Sequence, residues 1–529
     1  MKKYVSLVLF SLLSWAVCAK DFPKVILAGD YPDPTILRDG KDYYMTHSPF
    51  YYAPGFLIWH SQDLEHWEPV CRAMAQWEGS AMAPDLVKYN NRYYIYYPAA
   101  GTNWVIWADN IRGPWSAPKD LKVNGIDPGH VADADGKRYL YLSEGKVVQL
   151  SDDGLSTVGE VKKVYDGWPY PRNWRTEGMY LESPKLNYHN GYYYLTSAEG
   201  GTAGPGTSHM VVTARSKSVL GPWENSPFNP LVHTYSERES WWSRGHGTLI
   251  DDVNGNWWVV YHAYAKGYHT LGRQTLIEPI EWTPDGWCRA KSTGTFPKAE
   301  VPIRHGLELS DDFQGTELGL QWTFWKEYAP KAVTLENRTL RLKAKGKTPA
   351  DARLLLATAE DKNYETQVEV TVGKNNTAGL LLYYSEKAYA GLVSDGKTFT
   401  VYRHVGQKTE LPNTLGRQFT VRIKNQGNHV SISVGKDGKE WTTLAEGIDV
   451  SGMHHNAYKG FYALRIGLVS IGKGEAAFHQ FRYKNAVPQE KDLSAYLMVF
   501  HKDETHGLYM ALSRDGYTFT ALNDGEPDV

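Results

Sequence analysis

NGYYYLTSA, residues 190–198, is the clearest copy of a motif that occurs five times in the first 290 residues. The other copies are DGKDYYMTH (39–47), NNRYYIYYP (90–98), DGKRYLYLS (135–143) and NGNWWVVYH (254–262). Each copy begins with Asn or Asp, usually followed by Gly, and these residues tolerate the left-handed backbone of a tight hairpin turn. Each continues with aromatic and β-branched residues, which favour strands. The motif therefore predicts a turn followed by a strand.

The spacing of the copies indicates how these strands are organised. Successive copies begin 51, 45, 55 and 64 residues apart, which is the length of a four-stranded propeller blade. A further strand that ends in Trp follows several copies, as in FLIWHSQDLEHW (56–67) and WVIWADNIRGPW (104–115). We found almost no amphipathic helical period. The sequence predicts an all-β fold in which residues 20–305 form a five-bladed β-propeller.

A polar residue beside Pro or Gly precedes each repeated turn by five to eight positions. These residues are Asp33, Asp85, Asp127, Glu182 and His246. The strand before this hairpin is the innermost strand of a blade, so the rotational repeat would bring all five to one axial pocket. One Asp-Pro pair is usually only a turn, but five polar residues at the same phase favour a functional set.

Clustered carboxylates point to acid–base chemistry. Like charge and burial raise the pKa of at least one acid in such a cluster. A protonated carboxylic acid beside an ionised carboxylate is the apparatus of glycoside hydrolysis. Axial residues from different blades should be well separated, and a separation of roughly 6.5–9.5 Å leaves room for a water and predicts inversion of the anomeric centre.

Residues 25–290 resemble glycoside hydrolase family 43, the five-bladed propeller glycosidases that include β-xylosidases, α-L-arabinofuranosidases and arabinanases. The resemblance rests on AGDYPDPTILRDGKDYYM (28–45), IDPGHVADADGKRYL (126–140), ESPKLNYHNGYYYLTSAEGGT (182–202), GHGTLIDDVNGNWWVVYHA (245–263) and LGRQTLIEPIEWTPDGW (271–287). It implies that Asp33 is the general base, that Glu182 is the general acid, and that Asp127 raises the pKa of the acid and orients it.

The acid motif departs from the family pattern, which more often reads Glu-Gly-Pro or Glu-Ala-Pro followed by His or Tyr. Here Lys185 follows Glu182-Ser183-Pro184, which leaves the substrate subtype open. Glu177 lies close by and competes for the acid role, while the spacing from Glu182 to Gly191 and the AEGGT that follows favour Glu182. Glu177 would then line the pocket entrance or pair with Arg175.

The resemblance also implies roles for the other candidates. It implies that Arg273 reaches substrate hydroxyls and that His246 lies beside a calcium ion or a water network. We expect no cofactor to be required, and a structural calcium at the axis is implied by the resemblance alone. Asp85 is a further candidate for substrate binding. The candidate sugar-stacking residues are Trp77, Trp104, Trp174 and Trp242, each of which taken alone is more typical of a core residue.

From about Ser310 the blade motif gives way to simple alternation. YETQVEVTV (364–372) and RQFTVRIK (417–424) place apolar residues on one face with period 2, as half-buried antiparallel strands do. About ten to twelve strands fit a jelly-roll β-sandwich over residues 306–485. The region resembles the concanavalin-like module that follows the propeller in family β-xylosidases, where a sandwich loop can wall the pocket. An independent carbohydrate-binding module and a structural prop are the alternatives.

The two ends of the chain carry separate signals. Residues 1–19 resemble a signal peptide, with Lys2 and Lys3 before a short apolar stretch, and this predicts an exported protein, periplasmic or extracellular. The sequence of residues 486–529 resembles two successive strands of a blade, and this segment either packs on the sandwich or begins a further module. Only Cys71 and Cys288 remain in the mature chain, and their pairing is left open.

Composition narrows the function. The net charge of -2 gives no electrostatic footprint for a nucleic-acid partner, and past residue 19 no apolar run is long enough to span a membrane. Aromatic residues make up 13% of the chain, which suits a carbohydrate ligand and equally suits β-strands. The predicted function is an inverting glycosidase that releases xylose or arabinose from plant cell-wall polysaccharide. A non-catalytic glycan-binding propeller and a sialidase-like hydrolase are the alternatives.

Overall fold

The computed structural model describes residues 22–76, 78–404, 406–486, 495–513 and 518–527. Over these ranges the chain consists almost entirely of antiparallel β-sheets, with one short helix, α1 (His455–Tyr458). Single 3₁₀ turns cover Ser143–Gly145, His269–Leu271, Pro330–Ala332 and Asn523–Gly525. No helix in the described part of the chain is long and apolar enough to cross a membrane. The predicted signal peptide, residues 1–19, lies outside the described residues.

Residues 24–290 form five sheets that are the blades of a propeller, as predicted. The strands are numbered along the chain: blade one contains β2 (Thr35–Asp39), β3 (Asp42–Thr46), β5 (Gly55–Ser61) and β6 (Glu68–Met74), and blade two contains β7 (Asp85–Tyr89), β8 (Arg92–Ala99), β9 (Thr102–Ala108) and β10 (Lys119–Asp120). Blade three contains β11 (Gly129–Ala132), β12 (Arg138–Leu142), β13 (Lys146–Leu150) and β14 (Thr157–Lys163), and blade four contains β15 (Leu181–His189), β16 (Tyr192–Glu199), β17 (Met210–Ser216) and β18 (Glu224–Asn225). Blade five contains β20 (Trp241–Asp251), β21 (Trp257–Ala265), β22 (Arg273–Trp282) and the first strand of the chain, β1 (Lys24–Leu27). Short strands β19 (Val232–His233) and β23 (Cys288–Ala290) extend blades four and five.

The repeated motif forms the hairpin between the first two strands of each blade. In blade four the turn residues Asn190 and Gly191 have φ angles of 47° and 81°, the left-handed conformation that such a turn requires. The aromatic residues that follow pack between blades. Tyr97 of blade two lies edge-on against Phe56 of blade one, with ring centroids 4.8 Å apart. Much of the aromatic excess therefore belongs to the core.

The propeller closes through its first strand. Strand β1 pairs with β22, with Val25 opposite Leu276, so that the amino-terminal segment completes the blade formed by the end of the domain. This closure leaves only short edges around the ring. It also fixes the axis, because the innermost strands β2, β7, β11, β15 and β20 are held in one closed circle.

The second domain is a β-sandwich of two antiparallel sheets. One contains β24 (Thr323–Trp325), β27 (Arg353–Ala357), β29 (Asn376–Ser385), β30 (Ala388–Ser394), β31 (Thr398–His404), β32 (Gln407–Pro412) and β36 (Arg465–Gly472). The other contains β25 (Val333–Glu336), β26 (Thr339–Lys343), β28 (Asn363–Thr371), β33 (Gln418–Gln426), β34 (His429–Gly435), β35 (Thr442–Asp449) and β37 (Glu475–Asn485). The described residues thus contain fourteen sandwich strands, somewhat more than the alternation pattern predicts.

The two domains share a sheet. Strand β4 (Tyr52–Ala53), which the chain forms between β3 and β5 of blade one, pairs with β24 of the sandwich. Phe324 lies opposite Ala53 in this pairing, and the half-buried Arg72 donates through Nε to the Leu320 carbonyl at 2.9 Å. Because backbone hydrogen bonds cross this boundary, the sandwich is held in a fixed position against the propeller.

The blade-like tail forms a small sheet of its own. Strand β38 (Tyr496–Lys502) pairs with β39 (Gly507–Ser513), and β40 (Thr520–Ala521) pairs with β39. Leu497 and Val499 on β38 are both more than half exposed. That this segment begins a further module stays a prediction.

Candidate active site

A cavity of about 270 Å³ lies at the propeller axis and contains most of the predicted site residues. Its walls are formed by Asp33, Phe50, Met82, Ala83, Ile126, Asp127, Glu177, Tyr180, Glu182, Thr202, His246, Arg273 and Phe461. Asp33, Asp127 and His246 have φ angles of 55°, 56° and 53°. For residues other than Gly this conformation costs on the order of 1–3 kcal/mol each and is typical of functional sites.

Asp33 is a buried carboxylate held by several donors. Its Oδ1 accepts from Arg273 Nη1 at 2.6 Å, and its Oδ2 accepts from the Ser48 hydroxyl at 2.5 Å. Burial raises the pKa of Asp33, but the charges of Arg273 and His246 oppose it, and the net effect holds this pKa well below its ordinary value. Asp33 is therefore ionised and suited to act as a base.

Glu182 has the opposite environment. It projects from β15 with its side chain 18% exposed, and its Oε1 lies 3.7 Å from Nε2 of His209. Burial raises the pKa of Glu182 well above its ordinary value, and the carboxyls of Asp127 and Asp33 raise it further. Glu182 is therefore the carboxyl that keeps its proton, as a general acid must.

Asp127 and His246 connect these two acids. The backbone N–H of Ser183, the residue after Glu182, donates to Asp127 Oδ2 at 3.1 Å, which ties Asp127 to the strand that carries the acid. The imidazole of His246 lies 3.3 Å from Asp33 Oδ1 through Nδ1 and 3.5 Å from Asp127 Oδ2 through Nε2. Burial raises the pKa of Asp127, and Asp33 raises it further, against His246 and Lys185.

Two further imidazoles lie behind this row. His209 and His262 are fully buried, with ring centroids 5.4 and 5.1 Å from His246. Burial lowers the pKa of His209 well below its ordinary value and that of His262 to about 3, so both are neutral. Gly245 makes room for this layer, because a Cβ there would lie 2.3 Å from His209 Nδ1. The sequence pattern gave no signal for either histidine.

These side chains do not form a protein cage for calcium. Among the residues that the structure describes, two groups could hold an ion, Asp33 with His246 and His262, and Glu182 with His209 and His246. Each offers two imidazole nitrogens and one carboxylate oxygen, whereas calcium takes six to eight oxygen ligands. The oxygen of Asp33 is moreover already engaged by Arg273. No step of the chemistry below is routed through a metal.

The sandwich contributes one wall of the cavity. Phe461 lies over the guanidinium of Arg273, 5.1 Å from its centre, and Phe50 of the propeller lies 5.6 Å from the same group. Phe461 is stacked on His455 at 3.9 Å, and Asn456 bonds the backbone of Gly204 in the propeller. Only the contact between domains identifies Phe461, since no local pattern marks it.

Asp85 lies beyond the cavity, deeper along the axis. Lys185 Nζ donates to Asp85 Oδ1 at 2.8 Å and to the carbonyls of Pro84 and Pro128 at 2.9 and 3.1 Å. Both side chains are 7% exposed. The structure thus gives Asp85 a role in closing the axis instead of the predicted contact with substrate, and it explains the unexpected Lys185 of the acid motif as the partner of Asp85.

The three predicted aromatic platforms that the structure describes do not line this cavity. Trp104 donates through its indole to the Ala99 carbonyl and packs between blades, and Trp77 lies outside the described residues. Trp174 borders a separate cavity, and Trp242 lies against His269. Tyr180 and Phe50 supply the aromatic surface instead.

Glu177, the competing acid, also lines the cavity, at its exposed rim. Its Oε2 accepts from the backbone N–H of Ala203 at 2.7 Å. Arg175 pairs instead with Glu237, at 3.8 Å. The rim position agrees with the prediction that Glu177 lines the entrance.

Cys71 and Cys288 are both free thiols.

A propeller with one ionised and one protonated carboxyl in its axial cavity has the base and the acid that glycoside hydrolysis requires. Comparison with known proteins agrees. The model of glycosyl hydrolases family 43 matches residues 22–288, and that of the β-xylosidase C-terminal concanavalin A-like domain matches residues 310–484. The chain belongs to glycoside hydrolase family 43, and its second domain is the concanavalin-like sandwich predicted for it.

Several relatives match over nearly their whole length. A non-reducing end α-L-arabinofuranosidase of Bacteroides ovatus is 28% identical over 90% of this chain and 97% of its own. A xylan 1,3-β-xylosidase of a Vibrio species is 28% identical over 87% of this chain and 98% of its own. Among solved structures, the xylan β-1,4-xylosidase of Bacillus halodurans has a TM-score of 0.78 and 28% identity, covering 88% of this chain and all of that one.

Proposed function

We propose that this glycosidase removes single pentose residues, xylose or arabinose, from the non-reducing ends of plant cell-wall polysaccharide or oligosaccharides, with inversion. The observation that carries the proposal is the contrast between Asp33, ionised beside Arg273, and Glu182, kept protonated in the same small cavity. Acid and base both come from the chain, so the proposed reaction needs no cofactor.

Each acid has its own part in the reaction. Glu182 donates its proton to the leaving glycosidic oxygen, while Asp33 accepts a proton from the water that attacks the anomeric carbon. Asp127 holds the Glu182 strand through the N–H of Ser183 and helps to keep the acid protonated. Arg273, which already lies in the cavity wall, supplies donors for the sugar hydroxyls as well as for Asp33.

The shape of the cavity supports exo action. A volume of about 270 Å³ suits one sugar ring better than a segment of chain. Lys185 and Asp85 close the axis beyond Asp127 and Glu182, and Phe461 of the sandwich walls one side. This shape favours the end of a polysaccharide over an internal segment at the two carboxyls. The names of the two relatives above, one arabinofuranosidase and one xylosidase, support a pentose without deciding which.

The test uses aryl β-D-xylopyranoside and aryl α-L-arabinofuranoside, with NMR detection of the first-formed anomer. We expect turnover of at least one substrate with the inverted anomer as the first product. Asp33→Asn should lose about 10²-fold or more on these glycosides, because the base that activates water is removed, and Glu182→Gln should lose as much on oligosaccharides, whose leaving group needs the proton. A retained anomer, or no turnover of either glycoside, would overturn the proposal.

The two alternatives fit the site less well. A sialidase-like enzyme has a six-bladed propeller, whereas the described residues form five blades. A non-catalytic glycan-binding protein has no need of an acid, yet Asp33, Asp127 and Glu182 all lie at the axial cavity. Turnover by the wild type and its loss in Glu182→Gln would exclude the second alternative.

We also propose that the enzyme acts outside the cytoplasm, in the periplasm or the extracellular space. Support comes from the basic start and short apolar stretch of residues 1–19. Amino-terminal sequencing of the protein expressed with this segment should show cleavage after Ala19. An intact first residue in the purified protein would contradict export by this route.

A further inference from the structure

A second and larger cavity, of about 530 Å³, lies beside the catalytic one in blade four, and we call it the lateral cavity. Six of its residues carry the argument: Asn173, Trp174, Arg175, His233, Tyr235 and Glu237. The catalytic mechanism uses none of them. Trp174 is one of the aromatic residues that the sequence singles out for sugar stacking.

Three aromatic rings form a rigid corner in the lateral cavity. Trp174 and His233 are stacked, with ring centroids 4.4 Å apart and planes 4° from parallel. Tyr235 stands at 83° to Trp174 and 85° to His233, and 66% of it is exposed. The apolar C–H face of a sugar ring packs against such an aromatic surface, and little rotamer entropy is lost because the rings are already held.

The rim of the cavity is polar and carries charges of both signs, Arg175 and Arg238 against Glu237. Arg175 and Glu237 lie 3.8 Å apart across it, and their side chains are 76% and 47% exposed. Asn173 adds an amide that can both donate and accept hydrogen bonds. Aromatic surface with mixed donors and acceptors around it suits a neutral ligand rich in hydroxyl groups better than a strong anion, for which a one-signed pocket is needed.

The lateral cavity and the catalytic cavity share one loop. Asn173, Trp174 and Arg175 line the former, while Glu177 and Tyr180 line the latter. The loop is fixed, because Thr207 Oγ1 donates to the Arg175 carbonyl at 3.1 Å and the Glu177 N–H donates to Ser208 Oγ at 2.7 Å. A glycan bound in the lateral cavity would therefore lie next to the entrance of the catalytic cavity.

We propose that the lateral cavity is a second binding site for a neutral oligosaccharide, with Tyr235 and Trp174 as its contact surface. The inference rests on the proposed function, since the ligand is the same class of glycan that the catalytic cavity cleaves. The sugar comes either from the molecule whose end is being cleaved or from a neighbouring chain, and the chemistry of recognition is the same for both.

The test is calorimetric titration of the full chain carrying Glu182→Gln, which slows turnover, with xylohexaose and with arabinohexaose. Adding Tyr235→Ala should weaken binding of the better probe roughly tenfold, the effect of losing about 1.4 kcal/mol of aromatic contact. Tyr235→Phe should keep most of the affinity. Tyr188→Ala is the matched control, since Tyr188 is 63% exposed and lies outside both cavities.

The outcomes separate the two proposals. If Tyr235→Ala binds as tightly as Tyr188→Ala, or if neither probe binds the Glu182→Gln protein, the lateral site is overturned even when the wild type hydrolyses aryl glycosides. If the wild type hydrolyses no aryl pentoside, the proposed function itself fails. Repeating the titration with saturating xylose identifies the source: a Tyr235 effect that persists indicates a neighbouring chain, and one that disappears indicates a single chain spanning both cavities.

Discussion

Replacing Lys185 with Met should destabilise the propeller, because it leaves the carboxylate of Asp85 buried without its cation. The ion pair spans 2.8 Å, and at an effective dielectric constant of about 20 the attraction is about 6 kcal/mol before desolvation is subtracted. Removing one partner of a buried pair costs about 3–5 kcal/mol net. For a domain of this size that corresponds to a fall in melting temperature on the order of 10 °C.

The assay is thermal unfolding at pH 7, followed by calorimetry, with the exposed Lys162→Met on β14 as control. Adding Asp85→Asn to Lys185→Met should recover more than half of the loss, since no charge then remains buried and the amide oxygen can still accept from the N–H of His130, which lies 2.7 Å from Asp85 Oδ2. The reasoning is refuted if Lys185→Met melts like the control, or if the double variant is no more stable than the single.

Three predictions concern catalysis. Glu182→Gln should lose about 10²-fold or more of its activity on glycosides with poor leaving groups and far less on those with good ones, because only the former need the proton. Equal losses of activity on both kinds of substrate in steady-state assays would show that Glu182 is not the general acid. Glu182 acts as the acid and its pKa is raised, so activity is lost as the pH rises through the pKa of Glu182. Asp127→Asn removes one of the charges that raise this pKa. The alkaline limb of the pH–rate profile of Asp127→Asn should therefore move to lower pH. Phe461→Ala should raise KM roughly threefold to tenfold by removing the ring over Arg273, with circular dichroism as the check on folding.

The propeller could be predicted because its information is local and repeated. A turn such as Asn190-Gly191 and the aromatic strand after it are specified within nine residues, and five copies define the ring. The convergence of Asp33, Asp127 and Glu182 follows from the shared phase. Asp85 occupies the same position in its blade and is therefore predicted to bind substrate, because period and spacing do not show how far along the axis a residue lies. Its partner Lys185 comes from another blade, which the repeat does not reveal.

The remaining parts of the site depend on contacts between segments that the sequence pattern does not connect. Phe461 reaches the cavity from the sandwich, and its position is set by the pairing of β4 with β24 and by the contact of Asn456 with Gly204. His209 and His262 lie within or beside apolar strands, where a buried imidazole looks like any other core position. The lateral cavity likewise requires two loops of blade four to meet at Trp174 and His233.

The two cations at the axis help to explain why the acids there differ. Arg273 is bonded to Asp33, and Lys185 is bonded to Asp85. In the described part of the chain, no ion pair joins Arg or Lys to Asp127 or Glu182, and these are the two acids of the catalytic cavity whose pKa is raised. The neighbouring imidazoles His209 and His262 are neutral and do not compensate them. The division of labour between base and acid therefore follows from burial and from the position of Arg273 and His246 beside Asp33, and not from the carboxyls themselves, which are chemically alike.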